Sequence, residues 1–212
     1  MIIGVSGYAG SGKDEVASII QKIQPDKDWQ VKKFAGKLKT IASILTGIPE
    51  HNFENQDFKN TMLGNEWANR RGNHSQMSVR EFLQILGTES IRIALHRNAW
   101  VNALMVDYKS DKGIDILVDG TMRTWQKPVP NWVITDCRFN NEAISIKEKG
   151  GIIIRINRPG VFPVNNHPSE VDLDQWNFDA VINNDGTLND LYTKVKNVLE
   201  NENIIPGANR SN

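Results

Sequence analysis

Ile2-Ile3-Gly4-Val5-Ser6-Gly7-Tyr8-Ala9-Gly10-Ser11-Gly12-Lys13-Asp14-Glu15 decides how the rest of this sequence is read. Ile2 to Ser6 is a short apolar run ending at glycine, suited to a fully buried strand. Gly7 to Lys13 has the form G-x-x-x-x-G-K. Glycines at those places let the backbone curl until successive amides face inward and bind phosphate oxygens. Val16, Ile19, Ile20 and Ile23 then recur at i, i+3, i+4 and i+7, one apolar helix face that Pro25 ends. Such a helix directs its N-terminal amides and positive dipole end at the same anion. Lys13 is placed to reach the β- and γ-phosphates. A run of this form arises by chance in roughly one 200-residue chain in twenty. The strand before it and the helix after it favour a phosphate loop.

The residue after the lysine is Asp14, where most such loops carry Ser or Thr to ligate Mg²⁺. A carboxylate also coordinates Mg²⁺, directly or through water, but adds negative charge beside a polyphosphate. A second acid, Asp136, ends the apolar stretch Trp132-Val133-Ile134-Thr135. Ligands of open parallel sheets bind beyond the carboxyl ends of the strands, which would turn Asp136 toward the phosphate loop. A turn or helix-capping aspartate is the plainer alternative. Asp14 and Asp136 are the candidate metal ligands, and which of them touches the ion stays open.

Residues 29–35 read as a second strand, and Leu38, Ile41, Ala42 and Leu45 mark a helix ended by Gly47 and Pro49. Residues 50–76 are polar, lack a clear period and carry Trp67, Arg70 and Arg71, which predicts a mobile or irregular segment. Ser78-Val79-Arg80-Glu81 has the spacing of a capping box. A helix is expected from Val79, weakened or kinked at Gly87 and continuing to Leu95, with another short helix over residues 100–108. Residues 114–118 and 129–135 read as the arms of a hairpin. Residues 140–149 predict a helix closed by Gly150-Gly151. Strands are expected at 152–156 and 178–182. Leu188, Leu191, Tyr192, Val195 and Leu199 define a last amphipathic helix, capped by Thr187. Strands alternating with helices, most strands apolar throughout, predict a parallel sheet covered on both faces, a three-layer α/β fold.

The 212 residues carry 25 Lys plus Arg against 25 Asp plus Glu. That balance disfavours a nucleic-acid binder with a basic surface of its own. No apolar run approaches the roughly 20 residues of a membrane span, and the N-terminus lacks the pattern of a secretory signal. The one cysteine, Cys137, makes no internal disulfide, so a reducing, cytoplasmic location is the expectation. Cys137 has no evident histidine partner and reads as a buried structural thiol. His51, His74, His96 and His167 lack metal-ligand spacing.

From the phosphate loop outward the chain resembles the deoxynucleoside monophosphate kinases of tailed bacteriophages, part of the P-loop nucleoside monophosphate kinase group. Aspartate after the loop lysine is typical of that family. Phe34-Ala35 with Leu38-Lys39 resembles its second strand and helix start. Arg80 with Leu83-Gln84, Leu86-Gly87-Thr88-Glu89 and Trp100-Val101-Asn102-Ala103-Leu104 resembles its substrate-side helices. Thr135-Asp136-Cys137-Arg138-Phe139-Asn140-Asn141-Glu142 resembles its signature after the third strand. Ile156-Asn157-Arg158-Pro159-Gly160, His167-Pro168-Ser169-Glu170 and Asn183-Asn184-Asp185-Gly186-Thr187-Leu188 complete the match. Only residues 109–130 or so fall outside it and look like an inserted hairpin.

The resemblance implies a single P-loop kinase domain over residues 1–212, with sheet order 2-3-1-4-5 and a helical acceptor lobe at about 50–108. It implies transfer of the ATP γ-phosphoryl group to a dNMP, with Mg²⁺, in the host cytoplasm if phage-encoded. Gly7, Tyr8, Ala9, Gly10, Ser11, Gly12, Lys13, Asp14 and Glu15 would bind ATP, with Asn184 and Gly186 toward the adenine. Lys13, Asp136, Arg138 and Arg158 would be catalytic, the arginines compensating charge on the transferred group. Arg155, inside a strand, is less suited to reach. For Arg138, an ion pair with Glu142 at i, i+4 is the plainer alternative.

Arg80, Gln84, Trp67, Trp100 and Glu142 would fall on the acceptor side. Arg80 would take the acceptor phosphate, Gln84 its base, and the tryptophans would stack. Trp100 also reads as a core aromatic, and Arg80 as a solvated helix residue. The partners implied are small-molecule nucleotides, with no nucleic acid and no membrane; a homodimer is left open. A kinase resembling dephospho-coenzyme A kinase, or an inactive ATP-binding protein, is the alternative. The first would usually carry Ser or Thr after the lysine. The paired arginines and the large acceptor lobe argue against the second.

Overall fold

A computed structural model describes residues 1–68, 76–117 and 121–207. Arg70, Arg71 and His74, and the end of the first expected hairpin arm, lie outside those residues. In chain order the elements are β1 (Ile2–Ser6), α1 (Lys13–Ile23), β2 (Trp29–Lys32), α2 (Gly36–Thr46), α3 (Gln56–Lys59) and α4 (Val79–Gln84). A π-helical stretch, Ile85–Ile93, continues α4. Then come α5 (Ala99–Met105), β3 (Asp111–Ile116), β4 (Met122–Lys127), β5 (Asn131–Ile134), α6 (Asn140–Glu148), β6 (Ile152–Asn157), α7 (Pro168–Val171), β7 (Ala180–Asn183) and α8 (Leu188–Asn201). The chain divides into two compact units, Met1–Lys33 with Leu104–Asn212, and Phe34–Ala103. Among the described residues no helix is long and apolar enough to cross a membrane.

The first unit is built on a five-stranded sheet of order β2-β5-β1-β6-β7, parallel at every pairing. Counted without β3 and β4, that order is 2-3-1-4-5. Alternate residues of the strands divide between the two faces. Ile3, Val5, Val133, Ile152, Ile154, Ile156 and Ile182 meet Val16, Ile19 and Ile20 of α1 and Leu191, Val195 and Leu199 of α8. On the other face the Ile146 side chain of α6 lies so close to Gly4 that a Cβ there would stand 2.7 Å from it. Helices therefore cover both faces, giving the three-layer α/β architecture. The start of α8 and the end of α6 are closed as the sequence suggests. Thr187 and Asp190 exchange bonds at the start of α8, and after α6 the amides of Gly150 and Gly151 return to Lys147 and Ile146.

Two boundaries differ from expectation. The hairpin joins Asp111–Ile116 to Met122–Lys127, from Asp111 opposite Lys127 to Ile116 opposite Met122. Residues 129–135 are not its second arm. Pro128 and Pro130 have no amide to donate, so the ladder stops before them, and Asn131–Ile134 instead pairs between β2 and β1. The strand expected over 29–35 ends at Lys32, whose partner Ile134 is the last residue of β5.

The second unit comprises Phe34–Ala103. Its core takes Ala42 from α2 together with Phe53, Leu63, Val79 and Phe82, and Leu38 packs on Gly87. The 50–76 stretch holds short helical turns at Glu50–Glu54, Gln56–Lys59 and Asn65–Trp67. The Ser78 hydroxyl accepts the Glu81 amide at 3.1 Å and starts α4. The weak point expected at Gly87 falls within the π-helical stretch, whose later amides reach five residues back, Ala94 to Glu89 and His96 to Ile91.

Candidate active site

The loop between β1 and α1 has the strained geometry its glycines anticipated. Gly7 has φ 148°, and a Cβ there would stand 2.6 Å from the Ile156 carbonyl oxygen. Gly12, at φ 101°, would bring a Cβ to 2.6 Å from the Asn184 side-chain nitrogen. Only glycine fits either place. Tyr8 and Ala9 lie between, Gly10 is exposed at the tip, and Asp14 and Glu15 occupy the first turn of α1. The hydroxyl of Ser11 is buried and has no hydrogen-bond partner among the described residues.

The Lys13 ammonium donates to the carbonyls of Gly7 and Tyr8, both at 2.7 Å, and so spans its own loop. Burial lowers its pKa to about 8, helped by the nearby Arg138 charge and opposed by Asp14, Glu170 and Asp136. Between about pH 8 and 10.5 the unfolded chain binds more protons at this group than the folded chain does. Its contribution to stability therefore rises with pH through that window and is withheld below it. A bound polyphosphate favours the charged amine. Nucleotide binding at about pH 9 is accordingly expected to take up close to one proton. Calorimetry in two buffers of different ionisation enthalpy measures this, and Lys13→Met should abolish it. Uptake that persists in that variant would assign the proton elsewhere.

Arg138 follows β5 and turns its guanidinium to Glu170 Oε1 at 2.8 Å and to the Ser169 carbonyl at 3.3 Å. The Glu170 side chain is only 3% exposed. Short helix α7 supplies both acceptors, with Pro168 in its first turn and the His167 ring capping the Ser169 amide. The alternative ion pair with Glu142 is not formed; Arg138 pairs with Glu170 instead. The Glu142 carboxylate is buried and accepts the amides of Arg138 and Phe139 at 2.9 and 3.2 Å, which starts α6. Caught in that cap, Glu142 is a structural residue and not an acceptor-side group.

Arg158, just beyond β6, lies over the loop tip and donates to the Gly10 carbonyl at 3.4 Å. Asn184 donates to the Ser11 carbonyl at 2.9 Å, and so braces the loop from the end of β7. Gly186 is crowded by Asp190, where a Cβ would stand 2.5 Å from the carboxylate. Asp136 is half-buried immediately after Thr135. Cys137 is fully buried and its thiol is pushed well up, chiefly by desolvation and then by Glu142 and Asp136, which suits a structural thiol and not a nucleophile.

Sequence reading missed three groups. Thr135 donates to Asp14 Oδ1 at 2.9 Å, and Glu170 holds Arg138. Arg155 sits under the loop, bonded to Asp174 at 2.9 Å and Ser6 at 3.3 Å, with its guanidinium 4.6 Å from the Tyr8 ring centroid. Tyr8 in turn donates to the other Asp174 oxygen at 2.9 Å. The available signal was a charged residue inside the apolar run Ile152–Ile156. Such a charge is rarely buried without a partner.

In the second unit Arg80 donates to Asn60 at 3.2 Å and Gln56 at 3.3 Å from the first turn of α4. Gln84 is half-buried one turn on. Trp67 is half-buried, with its ring edge-on to Phe82 at 5.0 Å. Trp100 is 6% exposed and its indole donates to the Gly87 carbonyl at 2.8 Å. That is a core position, so the expectation of a stacking Trp100 is corrected. Trp100→Phe should cost about 1–2 kcal/mol in urea unfolding and leave nucleotide affinities unchanged; a changed acceptor affinity at unchanged stability would reverse the assignment.

The sequence model described as deoxynucleotide monophosphate kinase matches residues 37–195. A protein of Acanthamoeba polyphaga mimivirus, provisionally named as such a kinase, is 28% identical over 210 residues, covering 95% of this chain and 97% of that one. The deoxynucleotide monophosphate kinase of phage T4 is 32% identical over 127 residues, 59% of this chain and 46% of the phage enzyme. That of phage RB69 is 29% identical over 122 residues, 58% and 45% of the two chains. A solved shikimate kinase from Aquifex aeolicus covers 98% of this chain and is itself covered in full, at a TM-score of 0.43 and 12% identity. A match across three quarters of the chain makes this protein a member of the deoxynucleotide monophosphate kinase family.

Proposed function

We propose that this kinase transfers the γ-phosphoryl group of ATP to a deoxynucleoside monophosphate, giving the diphosphate and ADP. The observation that carries the reading is the gathering of Lys13, Arg138 and Arg158 around one phosphate loop. Arg138 perturbs the Lys13 ammonium electrostatically, and Arg158 reaches the loop tip. Phosphoryl transfer needs positioning and charge neutralisation more than covalent chemistry. The loop amides and Lys13 hold the donor phosphates. Arg138, fixed by Glu170, compensates charge on the group in transfer, and Arg158 does so from the donor side. Asn184 keeps the loop curled, and the neighbouring turn at Gly186 receives the adenine.

Asp14 and Asp136 fit a magnesium ion. Both are hard oxygen donors whose charge is felt at Lys13. Among the described residues no three carboxylate, histidine or cysteine side chains form a cage of their own, and Mg²⁺ with a nucleotide is ordinarily held by one or two carboxylates plus phosphate oxygens and water. Held there by Asp14 and Asp136, Mg²⁺ would supply charge neutralisation to the donor phosphates.

For the acceptor, Arg80 is the proposed phosphate ligand and Gln84 the base contact. Arg80→Ala is expected to raise the acceptor KM about tenfold or more while moving the ATP KM little. Equal effects on both would remove that role. The reaction itself is tested by product detection with ATP, Mg²⁺, each common dNMP and dephospho-coenzyme A, with Lys13→Ala as control. Diphosphate from one or more dNMPs is the expected result. ATP binding without product from any acceptor would reduce the protein to a nucleotide binder.

A further inference from the structure

Building on the phosphoryl-transfer reading above, we propose that Thr135 is a positioning residue for the metal-side carboxylate Asp14. In the common phosphate-loop arrangement the residue after the lysine is Ser or Thr, and the metal-side acid stands on another strand. Here the residue after the lysine is the acid, and the hydroxyl comes from the strand. Thr135 Oγ1 donates to Asp14 Oδ1 at 2.9 Å across 121 residues of sequence.

The geometry gives this contact a direction. Thr135 is 1% exposed, and its amide donates to the Lys32 carbonyl at 3.2 Å, so the sheet fixes where the hydroxyl starts. Asp14 is the opposite: its side chain is 76% exposed on the first turn of α1. Its second partner, Lys33 Nζ at 3.6 Å, meets the same oxygen, Oδ1. Both contacts therefore gather on Oδ1, leaving Oδ2 outside them and available to a cation. A hydroxyl donating to a carboxylate is among the stronger hydrogen bonds, and it holds the side-chain torsion that aims Oδ2. Without it, an exposed aspartate on a helix turn samples several rotamers. Thr135 so acts on the metal only through Asp14. Asp136, one residue on, keeps its own place in the metal shell.

Mn²⁺ with ADP, followed by electron paramagnetic resonance on the whole chain, reads this without turnover. Thr135→Val is expected to weaken Mn²⁺ in the ADP complex about tenfold, with ADP affinity in the absence of metal changing less than about twofold. Thr135→Ser, which restores the hydroxyl, should stay within about twofold of the parent. Asp14→Asn should show the same loss of Mn²⁺ affinity in the ADP complex, and adding Thr135→Val to it should cost nothing further, since both act through one contact. Unchanged metal affinity in Thr135→Val, a full loss in Thr135→Ser, or additive losses would each overturn the proposal. If Thr135→Val does not fold, the exposed Asp14→Asn decides together with Thr135→Ser. Loss in the first with retention in the second supports the pair, and retention in Asp14→Asn overturns it. A parent chain that binds ADP and Mn²⁺ normally while its variants do the same sinks this inference alone. A parent that binds no ADP sinks the phosphoryl-transfer reading and this inference with it.

Discussion

Replacing Lys13 by alanine is expected to lower kcat/KM for ATP by about three orders of magnitude, the scale of losing a preorganised charge donor at a transition state. The fold should survive. The ammonium is desolvated in the folded chain, with its pKa at about 8, so removing it deletes a poorly solvated charge as well as two bonds. Those two effects oppose each other. The melting temperature should move by only a few degrees, roughly the shift of 1 kcal/mol in a domain of this size. Steady-state kinetics and thermal unfolding followed by circular dichroism measure both. Activity within about tenfold of the parent would remove Lys13 from the transition state.

Arg138→Ala is expected to combine a catalytic loss with a structural one. A guanidinium that compensates charge on a transferring phosphoryl group contributes on the order of 10³ to kcat. Its removal also strands Glu170, whose side chain is 3% exposed and has Arg138 as its ion-pair partner. Breaking such a pair from one side costs about 3 kcal/mol, because a buried carboxylate is left uncompensated. The double variant Arg138→Met with Glu170→Gln removes both charges. It should regain most of the stability in urea unfolding and none of the activity. A single variant as stable as the parent would mean that the pair carries no structural weight. Turnover regained in the double variant would remove Arg138 from the chemistry.

The same pair illustrates what a linear reading reaches and what it does not. Glu142 stands four residues from Arg138, and helical spacing made it the natural ion-pair partner. In the fold, Arg138 precedes α6, and Glu142 reaches back to the amides of Arg138 and Phe139 just before that helix. The charge is met instead from 32 residues away. Trp100 failed as a stacking residue for a related reason. Its neighbour is the Gly87 carbonyl within the π-helical stretch, 13 residues back. The inserted hairpin falls where the resemblance left a gap, at 109–130, and only its second arm was misplaced. Pro128 and Pro130, with no amides to donate, separate its last paired residue, Lys127, from the sheet strand Asn131–Ile134.

Sequence alone determined the phosphate loop, its strand and helix, the apolar strands and the capped helices. These rest on neighbours within a few residues: glycine torsions, alternation with period two or 3.6, and hydroxyls that cap the next turn. The parallel order around β1 followed from the resemblance, and the register bears it out. Tertiary structure alone decided who supports the loop. Asn184 braces it at 2.9 Å, Arg155 and Asp174 hold Tyr8, Glu170 aims Arg138, and Thr135 aims Asp14. Each of these contacts joins residues distant in sequence, because a parallel sheet returns the carboxyl ends of separate strands to one edge.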